Sequence, residues 1–389
     1  MSSTTKAPPD AATAHPPAIL AEVRLASVRG VGPRLRTRLV ETFGDASSVL
    51  ARSPSELTRA PGVGGRLAQA IAQAPSEATA ARELERAAEA GIRPLLLDET
   101  DYPASLRQLC DAPPVLYCRG ELRREDQRRA VAIVGTRHAS RYGLRMAAEL
   151  AAGLAHAGVT VISGLARGVD GAAHRACLDA GGRTVAVLAG GLMRIYPPEH
   201  SGLADEVAAR GALLAESPPS MPPMSGSFPQ RNRIISGMSA SVVVVEAAAR
   251  SGALITARHA AEQGRDVFAV PGQIDNPQAA GCNQLIQEGA KLITNAGDIV
   301  AELEAMDACN ALPAGSGPAI AVPPEPAPGP PPPEGDARRV WQAVDREPTL
   351  IDTLVESTGL PTPSVLALVS MLELSGHLVR VSGAAVARR

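Results

Sequence analysis

The apolar residues of this chain change their spacing at regular intervals, and the changes mark its elements. From Ala130 to Val134 every residue is apolar and most are β-branched, the pattern of a strand buried on both faces. The run stops at Gly135-Thr136-Arg137. From Ser140 the spacing becomes helical, with Leu144, Ala147, Ala148, Ala151, Leu154 and Ala155 on one face. Gly158 ends that helix, and 159–163 reads as a second buried strand. Gly164, Gly168 and Gly171 then open a helix at Asp170. The alternation continues through strands at 183–189, 212–216, 241–246 and 266–270, with helices at 203–210, 253–264, from Gly281, and at 298–306. Two short strands, at 93–97 and 115–118, precede it. Repeated strand–helix alternation predicts an α/β fold, an extended Rossmann-like doubly wound parallel sheet.

The flanks follow other patterns. Residues 1–20 are rich in Ala, Pro and Thr and read as a disordered tail. Leu25-Ala-Ser-Val-Arg-Gly30-Val-Gly32 returns 32 residues later as Leu57-Thr-Arg-Ala-Pro-Gly62-Val-Gly64, each leading into a helix. These look like paired helix-hairpin-helix motifs, giving a helical, SAM-like domain over 21–90. Such turns expose amides at a helix N-terminus, which can hold DNA phosphate or serve packing alone. The main domain spans 91–306. Residues 307–336, with PPEPAPGPPPPEG, read as a Pro-rich linker. Three short helices and a β-wing over 337–389 predict a winged-helix domain, with Thr349 and Asp352 as a capping box.

Composition narrows the function classes. Of 389 residues, 45% are hydrophobic and 20% charged, without a run of 18 apolar residues, so no membrane span is expected. The N-terminus lacks the signal-peptide pattern. Five scattered cysteines, without a CxxC pair, fit a reduced, cytoplasmic setting rather than disulfides or zinc. Net charge is −2, so any nucleic-acid contact has to come from a local patch. Aromatics are 2%, which restricts base stacking to one or two sites.

Candidate chemistry gathers where the strands end. Both central strand-to-helix turns leave amides at helix starts, and Arg137 and Arg167 add charge there. No GxGxxG, P-loop, HExxH or GxSxG is present; no catalytic residue, metal site or cofactor is expected. His174 reads as structural, Asp170 as the cap of its own helix, and Glu246 as a group that either orients amides or counters arginines. Phe228, Arg231, Asn232 and Arg233 form the most informative cluster, following the loop SPPSMPPMSGS. Two arginines can grip adjacent phosphates, Asn can bond a base edge or a carbonyl, and Phe228 can stack. The alternative is an ion-pair network holding a loop on the sheet.

GTRHASRYG, ISGLARGVDGAAHRACL, AVLAGGLMRIYPPEH, FPQRNRIISGMS, VVVVEAAARSGALITARHAAEQGRDVFAVPG and GCNQLIQEGA occur in that order. Together they closely resemble the DNA-processing DprA (Smf) family over residues 91–300. The resemblance implies a non-enzymatic cytoplasmic protein of natural transformation. It would bind and protect single-stranded DNA, displace single-strand-binding protein, load a RecA-type recombinase, and form a homodimer through the Rossmann domain. It implies a DNA pocket of Gly135, Thr136, Arg137, Ser163, Gly164, Gly168, Asp170, Phe228, Arg231, Asn232, Arg233, Ser251, Gly252 and Thr256, with Arg137 and Arg231 on phosphate. Ser225 stands where several relatives have lysine, so one phosphate contact is either missing or supplied by Arg258 or Arg141. The expected recognition helix, 363–375, lacks Lys and Arg, which disfavours reading a DNA groove. Two competing readings are a nucleotide-processing enzyme of the phosphoribohydrolase type, whose PGGxGTxxE segment is missing, and a winged-helix transcription regulator.

Overall fold

The computed structural model describes residues 16–124, 126, 129–311, 334–345, 348–382 and 385–388. They fall into two compact units, divided between Asp307 and Ala308. In the larger unit the strands are β1 (Ile92–Leu96), β2 (Val115–Gly120), β3 (Ala130–Val134), β4 (Thr160–Ser163), β5 (Thr184–Leu188), β6 (Ala212–Ala215), β7 (Ser241–Val244), β8 (Asp266–Ala269) and β9 (Lys291–Leu292). Among the described residues these nine form one sheet, in the order β1-β2-β6-β5-β4-β3-β7-β8-β9. The run from β6 to β9 is parallel. Strands β1 and β2 extend it as an antiparallel edge.

Strand order reverses at β3: β4, β5 and β6 lie on one side, and β7 and β8 on the other. In the parallel ladders Val131 pairs with Val161 on one side and Ser241 on the other, so the three strands end at the same edge. A reversal of this kind opens a crevice at the carboxyl ends of the two central strands. All of β3 and β7 is buried, as expected where helices cover both faces.

The helix Arg141–His156 buries Ala147, Ala151 and Leu154 of the expected stripe but is rotated away from Leu144. Gly143, Met146, Ala147, Leu150, Ala151 and Leu154 face the sheet, while Leu144 is 40% exposed. Gly143 accounts for the rotation: a Cβ there would meet the Glu246 carboxylate. His174 is fully buried, with Nδ1 2.7 Å from the Thr184 hydroxyl. That hydroxyl donates to Val161 O at 2.7 Å, so the ring proton belongs on Nδ1. Burial, then the charges of His200 and Arg231, push its pKa down to about 3. It is a neutral packing residue, as the sequence suggested.

At the N-terminus a helix begins at Pro17, inside the stretch expected to be tail; residues 1–15 of that tail lie outside the described residues. Leu25, Leu39, Val49, Leu57 and Ile71 form the core of the paired hairpins. Gly30 and Gly62 have φ of +98° and +86°, which side chains avoid. The guanidinium of Arg38 lies over Gly62, 3.1 Å from where a Cβ would stand, and Arg36 pairs with Glu22. Two arginines of the first hairpin therefore serve packing.

The domain-closing helix runs from Ala296 to Ala311, past the expected boundary at 306. Residues 312–333 of the expected linker lie outside the described residues. In the smaller unit, the helices Asp336–Ala343, Ile351–Thr358 and Thr362–Leu374 pack against a three-stranded antiparallel sheet. This is a winged-helix arrangement. Leu350, not Thr349, occupies the N-cap of the second helix, and Thr349 Oγ1 accepts from the Asp345 amide. Leu366, Met371 and Leu374 of the third helix are exposed. Among the described residues no helix is long and apolar enough to cross a membrane.

Candidate nucleic-acid interface

The turn after β3 and the turn after β7 are tied together where the crevice opens. Thr136 N donates to Glu246 O at 2.7 Å, and the Glu246 carboxylate accepts the Ser140 amide at 2.8 Å. Glu246 thus orients an amide at the start of the Arg141–His156 helix, one of its two expected roles. Gly135 and Gly168 are needed for close approach. A Cβ on Gly135 would stand 2.5 Å from Val169, and one on Gly168, which has φ +73°, would collide with Thr136 O. The turns after β3 and β4 therefore interlock.

A cleft of about 530 Å³ lies above this junction. Gly135, Thr136, Arg137, Asp170, Phe228, Arg231, Asn232, Ser251, Gly252 and Thr256, all expected from sequence, line it. His138, Ser225 and Ile255 join them. On one wall the Ser251 hydroxyl caps the helix Gly252–Glu262 by accepting the Ala253 amide at 3.3 Å. Nothing stands within 4 Å of a Cβ placed on Gly252, so that helix start is open. Its dipole favours an anion.

On the other wall Arg137 is exposed, its guanidinium 4.6 Å from the centre of the Phe228 ring. It has no carboxylate partner among the described residues. A cation held on an aromatic face keeps its charge available to a ligand while losing part of its freedom. This makes Arg137 the group best prepared to meet a phosphate.

Phe228, Arg231, Asn232 and Arg233 lie on a helix, Ser227–Gly237, rather than on the expected loop. The helix turns them in different directions. Arg231 is 7% exposed. Its Nη1 donates to Gly164 O at 2.7 Å and to Val187 O, and its Nε donates to Asn232 Oδ1 at 3.2 Å. A Cβ on Gly164 would stand 2.5 Å from that guanidinium, so glycine makes room for it. Burial lowers the Arg231 pKa to about 10; Asp170 opposes the fall and Arg137 adds to it. Arg231 is charged at neutral pH but mostly occupied in bracing the crevice.

Asp170 corrects a second expectation. Gly168 is the N-cap of its helix, without a side-chain cap. The Asp170 carboxylate reaches back to accept the amides of Gly164 and Ala166 at 3.1 and 3.3 Å. Burial raises its pKa, against the pull of Arg231 and those amides. Asn232 is likewise engaged, donating from Nδ2 to Gly252 O at 3.2 Å.

Five expected residues lie outside the cleft lining. Arg233 is 4% exposed and pairs with Glu216 at 2.6 Å and Asp111 at 3.5 Å; its charge is consumed in the ion-pair network weighed as the alternative. Ser163 is fully buried and donates to Ile133 O at 2.6 Å. Gly168 packs turn on turn. Arg141 is exposed in the first turn of its helix and is not part of the lining. Gly164 lines a neighbouring slot with Arg167, Arg194 and Tyr196. Sequence reasoning gave Arg194 and Tyr196 no role; Tyr196, one of four tyrosines in an aromatic-poor chain, was the available signal.

Fold and cleft together define a doubly wound α/β protein with an arginine-bearing crevice at its topological switch point. A family model described as DNA recombination-mediator protein A matches residues 93–304. A DprA winged-helix model matches 323–384, and a SAM-like helix-hairpin-helix tandem matches 22–74. The chain is 36% identical to "Protein Smf" of Synechocystis over 93% of its own length and 96% of the relative's. It is 45% identical to the DNA processing protein DprA of Bacillus subtilis, over 55% of this chain and 72% of that one. The solved structure of DprA from Streptococcus pneumoniae superposes with a TM-score of 0.63 at 33% identity, covering 73% of this chain and 97% of that one. DNA processing protein A from Helicobacter pylori, whose structure is described for its single-stranded DNA binding mode, gives 0.50 at 30% identity, over 55% and 96%. The chain belongs to the DNA recombination-mediator protein A (DprA/Smf) family.

Proposed function

We propose that this protein binds single-stranded DNA in the crevice above β3 and β7 and does not chemically transform it. One observation carries the reading: Arg137, exposed and without a counter-charge among the described residues, is stacked on Phe228 opposite the open helix start at Ser251-Gly252. Guanidinium and amides suit a phosphate backbone, and an aromatic face suits an unpaired base, at about 1–3 kcal/mol per stack. Asp170, the carboxylate of this lining, accepts two backbone amides beside Arg231, which suits a brace better than a proton-transfer group. The similarity to the Helicobacter pylori protein supports the same ligand class.

Within that reading the bound strand is sheltered, taken over from single-strand-binding protein, and passed to a RecA-type recombinase by a homodimer in the cytoplasm. The family relationship motivates these steps. Substituting Arg137→Ala tests the foundation. Affinity for single strands should fall for all sequences alike. The slope of log K against log salt should become shallower by about 0.7, the value for one phosphate contact on a single strand. An unchanged affinity and slope would overturn the assignment.

A further inference from the structure

The cleft does not end at Phe228. Beyond the ring lies a narrow slot, with space of only about 20 Å³, whose rim carries Arg167, Arg194 and Tyr196. That space holds one water and no base, so a ligand has to pass over the rim rather than enter. Tyr196 is 40% exposed there. Its ring centre is 5.9 Å from that of Phe228, with the planes inclined by 64°. The Arg167 guanidinium lies 5.9 Å from the Tyr196 ring and is bridged to Glu199 at 2.5 Å. Arg194 is exposed and has no carboxylate partner among the described residues. The arrangement repeats the cleft motif of an aromatic ring flanked by guanidinium groups.

We propose that Tyr196 is a second base-stacking station and Arg194 a second phosphate contact, extending the track of the strand bound in the cleft. This inference rests on the single-strand reading above and specifies its path. It also gives a physical source of selectivity. In a duplex, successive bases lie parallel and about 3.4 Å apart along each strand. Two rings 5.9 Å apart and inclined by 64° can be matched only by bases that no longer stack on each other. A paired strand would lose its own stacking to fit both; an unpaired strand has little to lose. Arg167, partly neutralised by Glu199, makes a weaker phosphate ligand than Arg194.

The test uses the full chain and two labelled dodecamers, oligothymidine and its fully abasic counterpart, with affinity read by fluorescence anisotropy across a salt series. Tyr196→Ala should weaken oligothymidine binding about tenfold, within the roughly 5- to 150-fold range of one base–aromatic stack. It should leave the abasic dodecamer and the salt slope unchanged, because the lost contact is to a base. Tyr196→Phe should bind as the parent does. Arg194→Ala should weaken both dodecamers and reduce the slope by about 0.7. Arg137→Ala serves as the cleft control. If it weakens binding while Tyr196→Ala stays within twofold of the parent on oligothymidine, the strand does not cross Tyr196 and this inference alone falls. Equal loss on both dodecamers in Tyr196→Ala, or loss in Tyr196→Phe, would also overturn it. If Arg137→Ala binds like the parent, the cleft reading fails and this inference with it.

Discussion

Replacing Arg231 with alanine should unfold the crevice before it reveals anything about DNA. The side chain donates to Gly164 O and Val187 O, braces Asn232, and faces the buried Asp170 carboxylate. Two carbonyls, Gly164 O and Val187 O, are left without their donor, at about 1–3 kcal/mol each. Arg231 borders the cleft, so water can reach part of the vacated space, which favours the lower end of that range. We expect a loss of about 3 kcal/mol for the two together, roughly 150-fold in the unfolding equilibrium. Urea unfolding at pH 7 followed by far-UV circular dichroism reports chiefly the larger unit, which holds most of the helices and strands. The single tryptophan, Trp341, lies in the winged helix, and its fluorescence serves as an internal control that should not move. Adding Asp170→Asn should recover at least about 1 kcal/mol, because the stranded carboxylate is removed while an acceptor for the amides remains. A loss below about 1 kcal/mol, with no recovery in the double variant, would refute the bracing role and return Arg231 to the ligand as a free cation.

Two further outcomes follow from buried geometry. The folded pKa of His174 is about 3, below its ordinary 6.5, so the unfolded chain takes up a proton that the folded chain refuses as pH drops below about 6.5. That contribution is intact above pH 6.5 and is lost at about 1.4 kcal/mol per pH unit towards pH 3. Going from pH 6.5 to pH 5, His174→Gln should therefore lose about 2 kcal/mol less than the parent in urea unfolding; equal losses would contradict the assignment. Gly168→Ala should destabilise by at least about 2 kcal/mol, since φ is +73° and the new methyl would strike Thr136 O and Arg137. It should also weaken single-strand binding by displacing the Arg137 turn. A variant as stable as the parent by thermal melting would count against the interlocked turns.

The sheet was legible because its strands are buried on both faces and announce themselves as unbroken apolar runs, β3 and β7 above all. The Gly-Thr-Arg turn followed from that alternation, whereas the reversal of strand order at β3 is visible only in the folded sheet. The helix Ser227–Gly237 was not legible. No helical pattern marks the segment, and a proline in the first helical turn removes an amide that has no partner anyway, so Pro229 does not bar the helix. Once the segment is a helix, Arg231 and Arg233 point different ways and acquire partners from distant segments. Arg233 meets Asp111 and Glu216, and Arg231 meets Gly164 and Val187. Spacing within one segment cannot reveal such partners. The same holds for Asp170: a carboxylate in the first turn of a helix normally caps it, but Gly168 already occupied the cap with a backbone angle open only to glycine. Tyr196 lies far from Phe228 in sequence, and only the folded chain brings the two rings together.

The central claim is that a crevice of guanidinium, amide and aromatic groups grips unpaired DNA. Titrating the full chain against a labelled single strand and its duplex, over a series of salt concentrations, tests this most directly. The account predicts at least about tenfold preference for the single strand, with log K falling against log salt by about 0.7 for each phosphate held. Equal or tighter binding of the duplex, or an affinity indifferent to salt, would contradict it.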